Sequence, residues 1–470
     1  MKKYIFFILF ATILSSCTKE DVYKNIEPTA TYETGEEFLV SELSIQAFTA
    51  DKAFGRAIPI LSDLELSFFG VGNAMFDQAW VSAPATTTSR DGLGPIFNAR
   101  ACSSCHLRDG RGKPLLKTGA TSEGFLIRLG IGNSETTGPI GHHTYGGQLQ
   151  DDSNLGIKKE ADIQVNFTFI DGVYADGTKY QLRKPTYSFL NENYGSLAGV
   201  ETSPRVGQQM IGLGFIDALS EASLLENADP NDADNDGISG RANYVWNVKK
   251  SKLTIGKFGW KSNQPTLDQQ IAGAFNGDMG LTTSIFPDEN CPDGIDCSKL
   301  SNGNNVGENV EVPNKQFSRI SLYMAALSVP KRRDFKEKNV LQGKKHFNDL
   351  KCVSCHVDNF TTGKNTVLPQ IDNIKIKPFS DFLLHDMGAD LADNRGDFLA
   401  NGNEWRTQPL WGLGLIETVN KHTFLLHDGR ARNIEEAILW HGGEANTSKE
   451  DFKKLSKEKR DQLLAYLNSL

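Results

Sequence analysis

The strongest constraint on this chain is a five-residue pattern, Cys-x-x-Cys-His, that occurs twice in its 470 residues. The two copies consist of Cys102, Cys105 and His106, and of Cys352, Cys355 and His356. This is the attachment pattern of c-type haem, in which both thiols add to the haem vinyl groups and the histidine binds the iron. A zinc site or a redox dithiol is the alternative, but neither requires a histidine directly after the second cysteine. The sequence therefore predicts two covalently bound haems c.

A longer repeat surrounds the two patterns. Phe97-Asn98 precedes the first cysteine pair, and Phe347-Asn348 precedes the second pair 250 positions later. The segment GLGFID at Gly212 has a counterpart 200 positions later, GLGLIE at Gly412. Such a repeat indicates two related haem modules. The first then carries about 50 additional residues, expected within Leu107–Tyr194, where alternating polar and apolar residues predict a β-hairpin.

Apolar residues at helical spacing occur on both sides of the second pattern. KEKNVLQGKKHFNDLK precedes it, and DFKKLSKEKRDQLLAYLNSL ends the chain. An opening and a closing helix of this kind enclose the haem of c-type cytochrome domains. We therefore expect a mainly α-helical fold of two cytochrome c-like haem modules, residues 38–330 and 331–470, with loop and small β-hairpin insertions in the first.

The N-terminus has the features of an export signal. Lys2 and Lys3 precede an apolar stretch that is too short to span a bilayer, and the stretch ends in Leu-Ser-Ser-Cys17. This ending resembles the lipobox of bacterial lipoproteins, whose cysteine carries the lipid; a cleaved signal with an incidental cysteine is the alternative. We expect a signal peptide at 1–17, a polar tether at 18–37, and a lipid-anchored protein of the Gram-negative cell envelope, periplasmic or exposed on the outer membrane.

The remaining composition limits the partners. A formal charge of −8 and the lack of a basic stripe argue against nucleic acid. No apolar run after the N-terminus could span a bilayer, so membrane contact is expected through the lipid anchor only. Cys291 and Cys297 flank a Pro/Gly loop, and such a pair in an oxidising compartment predicts a local disulfide; two free thiols are the alternative.

Several longer motifs resemble the di-haem oxidoreductase family. They are GLGPIFNARACSSCHLRDGRG, DADNDGISGRAN, FGWKSNQPTLDQQIAGAFNGDMG, LLHDMGADLADNRGD, EWRTQPLWGLGL and FLLHDGRARNIEEAILWHGGEA. The resemblance extends from about residue 38 to the end of the chain. The family is related to bacterial di-haem cytochrome c peroxidases and to the di-haem enzyme that matures methylamine dehydrogenase. The resemblance implies one haem that reacts with peroxide and a second that stores or passes electrons.

The resemblance also implies a catalytic carboxylate near the first haem. In the related peroxidases this group follows an aromatic-rich segment and a helix with Leu-x-x-Gln, and the corresponding region here runs from Trp260 to Asp278. Asp278 stands where those peroxidases have a glutamate, so its shorter side chain changes the reach of proton transfer. A structural aspartate at a helix end or in a loop is the alternative.

For the second iron, the resemblance implies a distal ligand that follows the motif. Met387 is the only methionine in that part of the chain, and a methionine ligand raises the potential of the iron. His385 is the competitor, and ligation by neither residue is the third option. His142 and His143 follow the first motif and form either a surface pair or a switchable distal ligand.

Each of two further motifs has two alternative roles. His427 and Arg430 lie in the closing motif and are expected to hold loops and haem propionates together, with iron ligation as the alternative. The second motif has the 1-3-5 carboxylate spacing of a calcium loop, at Asp232, Asp234 and Asp236. Asn243 occupies the twelfth position, where a glutamate is usual, so a solvated acidic turn is the alternative to a bound Ca²⁺.

Together these features predict a peroxidase-like di-haem oxidoreductase that takes electrons from a small donor protein, a cytochrome or a cupredoxin, and passes them to peroxide or another small oxidant. Two other classes stay open. One is an electron-transfer cytochrome in which both irons are closed by six ligands, and the other is an anchored haem protein that binds a partner.

Overall fold

The computed structural model describes residues 1, 30–46, 51–120, 122–293, 295–300, 302–303, 308–365 and 367–470. The predicted signal peptide after Met1, with Cys17, and most of the predicted tether lie outside the described residues. Within the described part of the chain, no helix has the length and apolar character needed to cross a membrane.

The described residues form eleven α-helices. They are α1 (Asp63–Asp77), α2 (Cys102–Cys105), α3 (Leu213–Asp217), α4 (Glu221–Leu225), α5 (Leu267–Met279), α6 (Asn314–Ala326), α7 (Lys338–Asp349), α8 (Ile416–Asn420), α9 (Ile434–Trp440), α10 (Asn446–Lys454) and α11 (Lys457–Ser469). Side-chain caps fix several starts: Ser62 and Glu65 form a reciprocal capping box at α1, and Ser456 caps α11.

Fourteen strands occur in the same described ranges. They are β1 (Ile96–Phe97), β2 (Phe125–Gly130), β3 (Gly132–Ser134), β4 (Gly138–Ile140), β5 (Asp152–Ser153), β6 (Asp162–Val173), β7 (Lys179–Leu190), β8 (Glu201–Val206), β9 (Tyr244–Asn247), β10 (Lys252–Ile255), β11 (Phe360–Thr361), β12 (Lys375–Ile376), β13 (Leu384–Asp386) and β14 (Glu404–Arg406). They pair antiparallel into seven two-stranded sheets: β1–β5, β2–β8, β3–β4, β6–β7, β9–β10, β11–β12 and β13–β14.

The expectation of a mainly α-helical fold is wrong, because helix accounts for only 28% of the structure and strand for 20%. The long β6–β7 hairpin lies inside the segment where the sequence predicts one, with Asp162 opposite Leu190 and Val173 opposite Lys179. The other strands have two to six residues. Strands of this length show little alternation in sequence, and contacts with distant parts of the chain set their register.

Two helix pairs share one packing arrangement. Gly72 of α1 faces Tyr323 of α6, and Gly343 of α7 faces Tyr466 of α11. A Cβ atom at either glycine would collide with a backbone carbonyl oxygen of the opposite helix, so these crossings require glycine. The first pair belongs to residues 38–330 and the second to 331–470, so each predicted module contains one such pair.

Each helix crossing, together with the aromatic rings that pack on it, forms a frame around one motif histidine. Phe76 and Phe347, each four residues after its crossing glycine, contact His106 and His356 with ring centroids 6.5 and 6.1 Å apart. The two phenylalanines also pack on the tyrosines of the facing helices, at 5.4 and 5.3 Å. Each motif histidine is therefore held behind an equivalent aromatic pair, and the internal repeat is a repeat in space.

The two Gly-Leu-Gly segments meet between the modules. The Gln208 side-chain amide donates to the Gln408 side chain at 2.5 Å, and Gln209 donates to the Trp411 carbonyl at 3.0 Å. Gly212 packs against the Trp411 ring with no room for a Cβ. Since Gln208 and Gln408 are themselves 200 positions apart, the modules contact each other through equivalent segments.

Candidate haem sites

The first motif forms the single turn α2. The last residue of the motif, His106, donates its backbone N–H to the Cys102 carbonyl at 2.9 Å. The His106 ring Nδ1 lies 2.6 Å from the Gln208 carbonyl oxygen. Because a carbonyl oxygen only accepts, Nδ1 carries the proton and Nε2 keeps its lone pair. Burial lowers the pKa of the His106 imidazole and favours the neutral form that binds iron.

The second motif repeats this arrangement in a 3₁₀ turn at Cys352–Ser354. His356 donates its backbone N–H to the Cys352 carbonyl at 2.9 Å, and its Nδ1 lies 2.9 Å from the Phe379 carbonyl oxygen. Burial lowers the pKa of His356 to about 4. Both histidines therefore present a neutral Nε2, with the orientation fixed by a backbone carbonyl.

The donor groups of both motifs fit a haem held by two thioether bonds and a histidine. All four motif cysteines are free thiols. Among the described residues, the one potential metal cluster that contains a motif cysteine combines Cys355 with Asp381 and His385, and no cluster joins the two motifs. The described geometry therefore disfavours one shared zinc site and leaves each motif available for its own haem.

A cavity lies next to the second motif. Its lining includes Cys352, Cys355 and His356 of the motif and one face of α9. Met387 and Leu391 also line the cavity, and most of its other lining residues are apolar. An apolar cavity bounded by the two thiols and the imidazole is the environment that a haem ring requires.

Two carboxylates hold His385 beside this cavity. Its Nε2 lies 2.8 Å from Asp381 and its Nδ1 lies 2.7 Å from Glu444. Although burial opposes the charge, Asp381 raises the pKa of His385 well above its usual value. With both nitrogens engaged, the described conformation leaves His385 without a lone pair for iron.

Asp278 lies beside the first motif, although the two are far apart in sequence. It is the penultimate residue of α5, and its backbone carbonyl accepts hydrogen bonds from Asn98 and Ala99 at 2.8 and 3.1 Å. The charge of Asp278 acts on Cys102 and Cys105, whose pKa values burial raises most strongly. The end of α5 thus brings a carboxylate to the first motif.

A hydrogen-bonded group surrounds this carboxylate. The Gln148 amide donates to Asp278 Oδ1 at 2.8 Å and to Asn98 Oδ1 at 2.5 Å, and Asn98 donates to Asp151 at 2.8 Å. Burial raises the pKa of Asp151 to about 6. Burial lowers the pKa of the Arg128 guanidinium, and the charge of the nearby Asp278 carboxylate opposes this shift. The guanidinium makes no hydrogen bond within the described residues.

Comparison with known families gives one match, to the family described as "Di-haem oxidoreductase, putative peroxidase", over residues 42–470. The chain belongs to this family. Searches of curated proteins and of solved structures found no match. Family membership supports an oxidoreductase with haem cofactors.

In this di-haem oxidoreductase, the closing motif lies between the modules. His427 stacks on Trp405 with centroids 3.9 Å apart, and its Nδ1 lies 2.9 Å from the Pro204 carbonyl oxygen. Its Nε2 is buried and has no hydrogen-bond partner. Arg430 is already paired with buried Asp428 at 2.9 Å.

Two other predicted residue pairs of the oxidoreductase, His142 with His143 and Cys291 with Cys297, have local contacts in their own loops. His142 accepts hydrogen bonds from the backbone of Thr144 and Tyr145 in a tight turn, and the neighbouring His143 is exposed. Cys291 and Cys297 are joined by a disulfide, with Cα atoms 6.4 Å apart. These features stabilise local loops.

The acidic loop differs from the predicted calcium set. Oxygen atoms of Asp229, Asp232 and Asp234 lie within 4.8 Å of one another, whereas Asp236 is not in this group. The Asp236 carboxylate accepts a hydrogen bond from Ile238 at 2.9 Å, and Asp232 accepts one from Gly237 at 3.2 Å. The loop closes through its own backbone donors, as an acidic turn does.

Sequence reasoning did not identify Arg128 or His441 at the sites of the oxidoreductase. Arg128 lies on the half-buried face of β2, and its position near Asp278 depends on the distant end of α5. His441 follows α9 and lines the second cavity. The Trp440-His441 pair in the closing motif is the only sequence signal for either residue.

Proposed function

We propose that this chain is an exported, lipid-anchored oxidoreductase with two covalently bound haems c, one at each motif. Peroxide is reduced at the first motif, and a small cytochrome or cupredoxin delivers electrons through the second. The observation that carries the proposal is the position of Asp278, which α5 brings to the first motif together with Gln148 and Arg128.

The reaction requires electrons and protons in equal number. Hydrogen peroxide takes up two electrons and two protons and becomes two water molecules. When bound, the haem supplies the electrons that break the O–O bond. The protein must then transfer a proton between the two peroxide oxygens and neutralise the charge on the departing one.

Asp278 is suited to the proton transfer. Its Oδ1 accepts the Gln148 amide, which fixes the orientation of the carboxylate, and its Oδ2 has no hydrogen-bond partner among the described residues. The free oxygen can therefore take a proton from one peroxide oxygen and return it to the other. Arg128, whose guanidinium is also without a hydrogen bond in the described structure, can neutralise the negative charge that develops on the departing oxygen.

The test replaces Asp278 with asparagine. Asp278→Asn keeps the Gln148 hydrogen bond but cannot carry the proton, so we expect peroxide turnover to fall about 10²–10⁴-fold with both haems retained. Asp278→Glu should restore much of the rate, since the related peroxidases have glutamate there. Asp268→Asn, at the opposite end of the same helix, is the matched control and should keep its rate. Wild-type turnover by Asp278→Asn would show that the carboxylate is structural.

A further inference from the structure

The α9 wall of the second cavity is apolar except at its end. Ile434, Ala437, Ile438 and His441 all line the cavity, at spacings of three, one and three residues. This spacing places them on one face of the helix, and three of the four are aliphatic or small. His441 follows directly after α9 and lines the same cavity as Cys352, Cys355 and His356.

The His441 ring is held in the same way as the two motif histidines. Its Nδ1 lies 2.6 Å from the Ala437 carbonyl oxygen, one helical turn earlier. The proton is therefore on Nδ1, and Nε2 keeps its lone pair without a hydrogen-bond partner in the described structure. A backbone carbonyl that fixes the tautomer is the usual support of a histidine that binds metal.

Of the other histidines outside the motifs, only His427 has a carbonyl on Nδ1 and an unpartnered Nε2 at this cavity. All nine histidines of the chain lie within the described residues. His346 and His422 use their Nε2 atoms in hydrogen bonds, and His385 has carboxylates on both nitrogens. His427 also lines the cavity, but its Nε2 is fully buried beside Trp405, whereas His441 is only partly buried.

His142 and His143 belong to the distant turn and do not line the cavity. Among the described residues, His427 and His441 are thus the two histidines outside the motifs that line this cavity with an unpartnered Nε2, and only the Nε2 of His441 keeps exposed surface there.

Met387 shares the cavity but lacks a comparable constraint. Its thioether side chain is partly buried, and it can rotate about three bonds. Its backbone packs directly on the chain that follows His441, because a Cβ atom at Gly442 would lie 2.9 Å from the Met387 carbonyl oxygen. The two side chains therefore line the cavity from neighbouring backbone positions, and both are candidates to bind the iron of a haem held there.

We propose that His441, and not Met387, is the distal ligand of the haem at the second motif, which gives that iron two histidine ligands. The proposal rests on the proposed function only in requiring a haem at Cys352–His356. Two nitrogen ligands give a lower potential than one nitrogen and one thioether sulfur. The second haem would then be a stronger electron donor toward the first.

The test compares three forms of the oxidised holoprotein: wild type, His441→Gly and Met387→Leu. We expect the wild type to lack the sulfur-to-iron charge-transfer absorption of methionine-ligated haem at the second site. His441→Gly should convert one haem of two to the high-spin form, and added imidazole should return it to low spin. Met387→Leu, the matched control in the same cavity, should leave the spectrum unchanged.

The opposite pattern would overturn the assignment: a sulfur-to-iron band in the wild type that Met387→Leu removes, with His441→Gly unaltered. If His441→Gly does not fold, near-infrared magnetic circular dichroism of the wild type distinguishes the two ligand sets without any variant. A haem count by pyridine haemochrome separates this result from failure of haem attachment. If the wild type shows the two-histidine spectrum but does not turn over peroxide, the result counts against the proposed function and not against the ligand assignment.

Discussion

The surroundings of the two motifs differ much more than the frames that hold them. Each motif histidine has a carbonyl on Nδ1 and a phenylalanine at its side. Near the first motif lie Asp278, Arg128 and Asp151, while the cavity at the second is bounded by the apolar face of α9. The shared frame suits a haem in each module, and the difference is the basis for the proposal that peroxide reacts at the first site and electrons enter at the second.

Removal of one motif at a time tests whether the sites are independent. We expect Cys102→Ala with Cys105→Ala to leave one haem per chain and no peroxide turnover, because the reacting haem is gone. Cys352→Ala with Cys355→Ala should also leave one haem, which can still bind small anions such as cyanide. Mass spectrometry and cyanide titration measure both. If the first double variant bound cyanide as well as the second, the proposed division of roles would be reversed.

Because the two helix crossings are equivalent, the same substitution at either crossing should lower the free energy of unfolding by the same amount. Gly72→Ala and Gly343→Ala should each destabilise the fold by about 3 kcal/mol, since a Cβ at either position meets backbone atoms that cannot move aside. Gly70→Ala on the same helix α1 is the control: nothing lies within 4 Å of its Cβ position, and alanine should stabilise the helix by about 1 kcal/mol. Denaturant unfolding measures all three. A cost at only one crossing would mean that the frames are not equivalent.

The buried Glu160 carboxylate predicts that the stability of the fold depends on pH. Glu160 is 1% exposed and accepts a hydrogen bond from the Gln150 backbone at 2.6 Å, and Gln150 in turn donates to the Gly277 carbonyl beside Asp278. Burial raises the pKa of Glu160 from 4.5 to about 8. The folded state holds this proton more tightly than the unfolded state, so stability falls as pH rises from 4.5 to about 8.

Glu160→Gln keeps the hydrogen-bond acceptor without the charge, so at pH 8 it should be more stable than wild type by about 1–2 kcal/mol. The advantage should disappear near pH 5. The exposed Glu192 provides the control, and Glu192→Gln should follow the wild-type curve. Thermal unfolding across this range measures the effect, and identical curves for all three proteins would show that Glu160 does not titrate as described.

Covalent patterns and local periodicity could be predicted from the sequence. The two motifs, the repeat around them and the β6–β7 hairpin depend on residues close together in the chain, and a sequence records such spacing directly. The strand content was underestimated because short strands form where the chain surrounds the two sites. Their partners are often distant, as in β2 and β8.

The site residues beyond the motifs depend on tertiary contacts. The resemblance to related peroxidases predicted Asp278, but not Arg128 or Gln148, which reach it from other strands and loops. His385 and Met387 precede His441 by more than 50 positions, and only the tertiary fold brings these residues to one cavity. In the acidic loop, the carboxylate that lies near Asp232 and Asp234 is that of Asp229, and the spacing of the motif does not reveal this turn geometry.

The most direct test of the division between the two sites is electron paramagnetic resonance of the holoprotein with and without cyanide, recorded oxidised and after reduction by one electron. The account predicts one low-spin haem that cyanide leaves unchanged, the closed site beside α9. It also predicts one haem whose signal changes on cyanide binding, the site beside Asp278. Two low-spin haems that cyanide alters in neither state would contradict the account and favour a closed electron-transfer cytochrome.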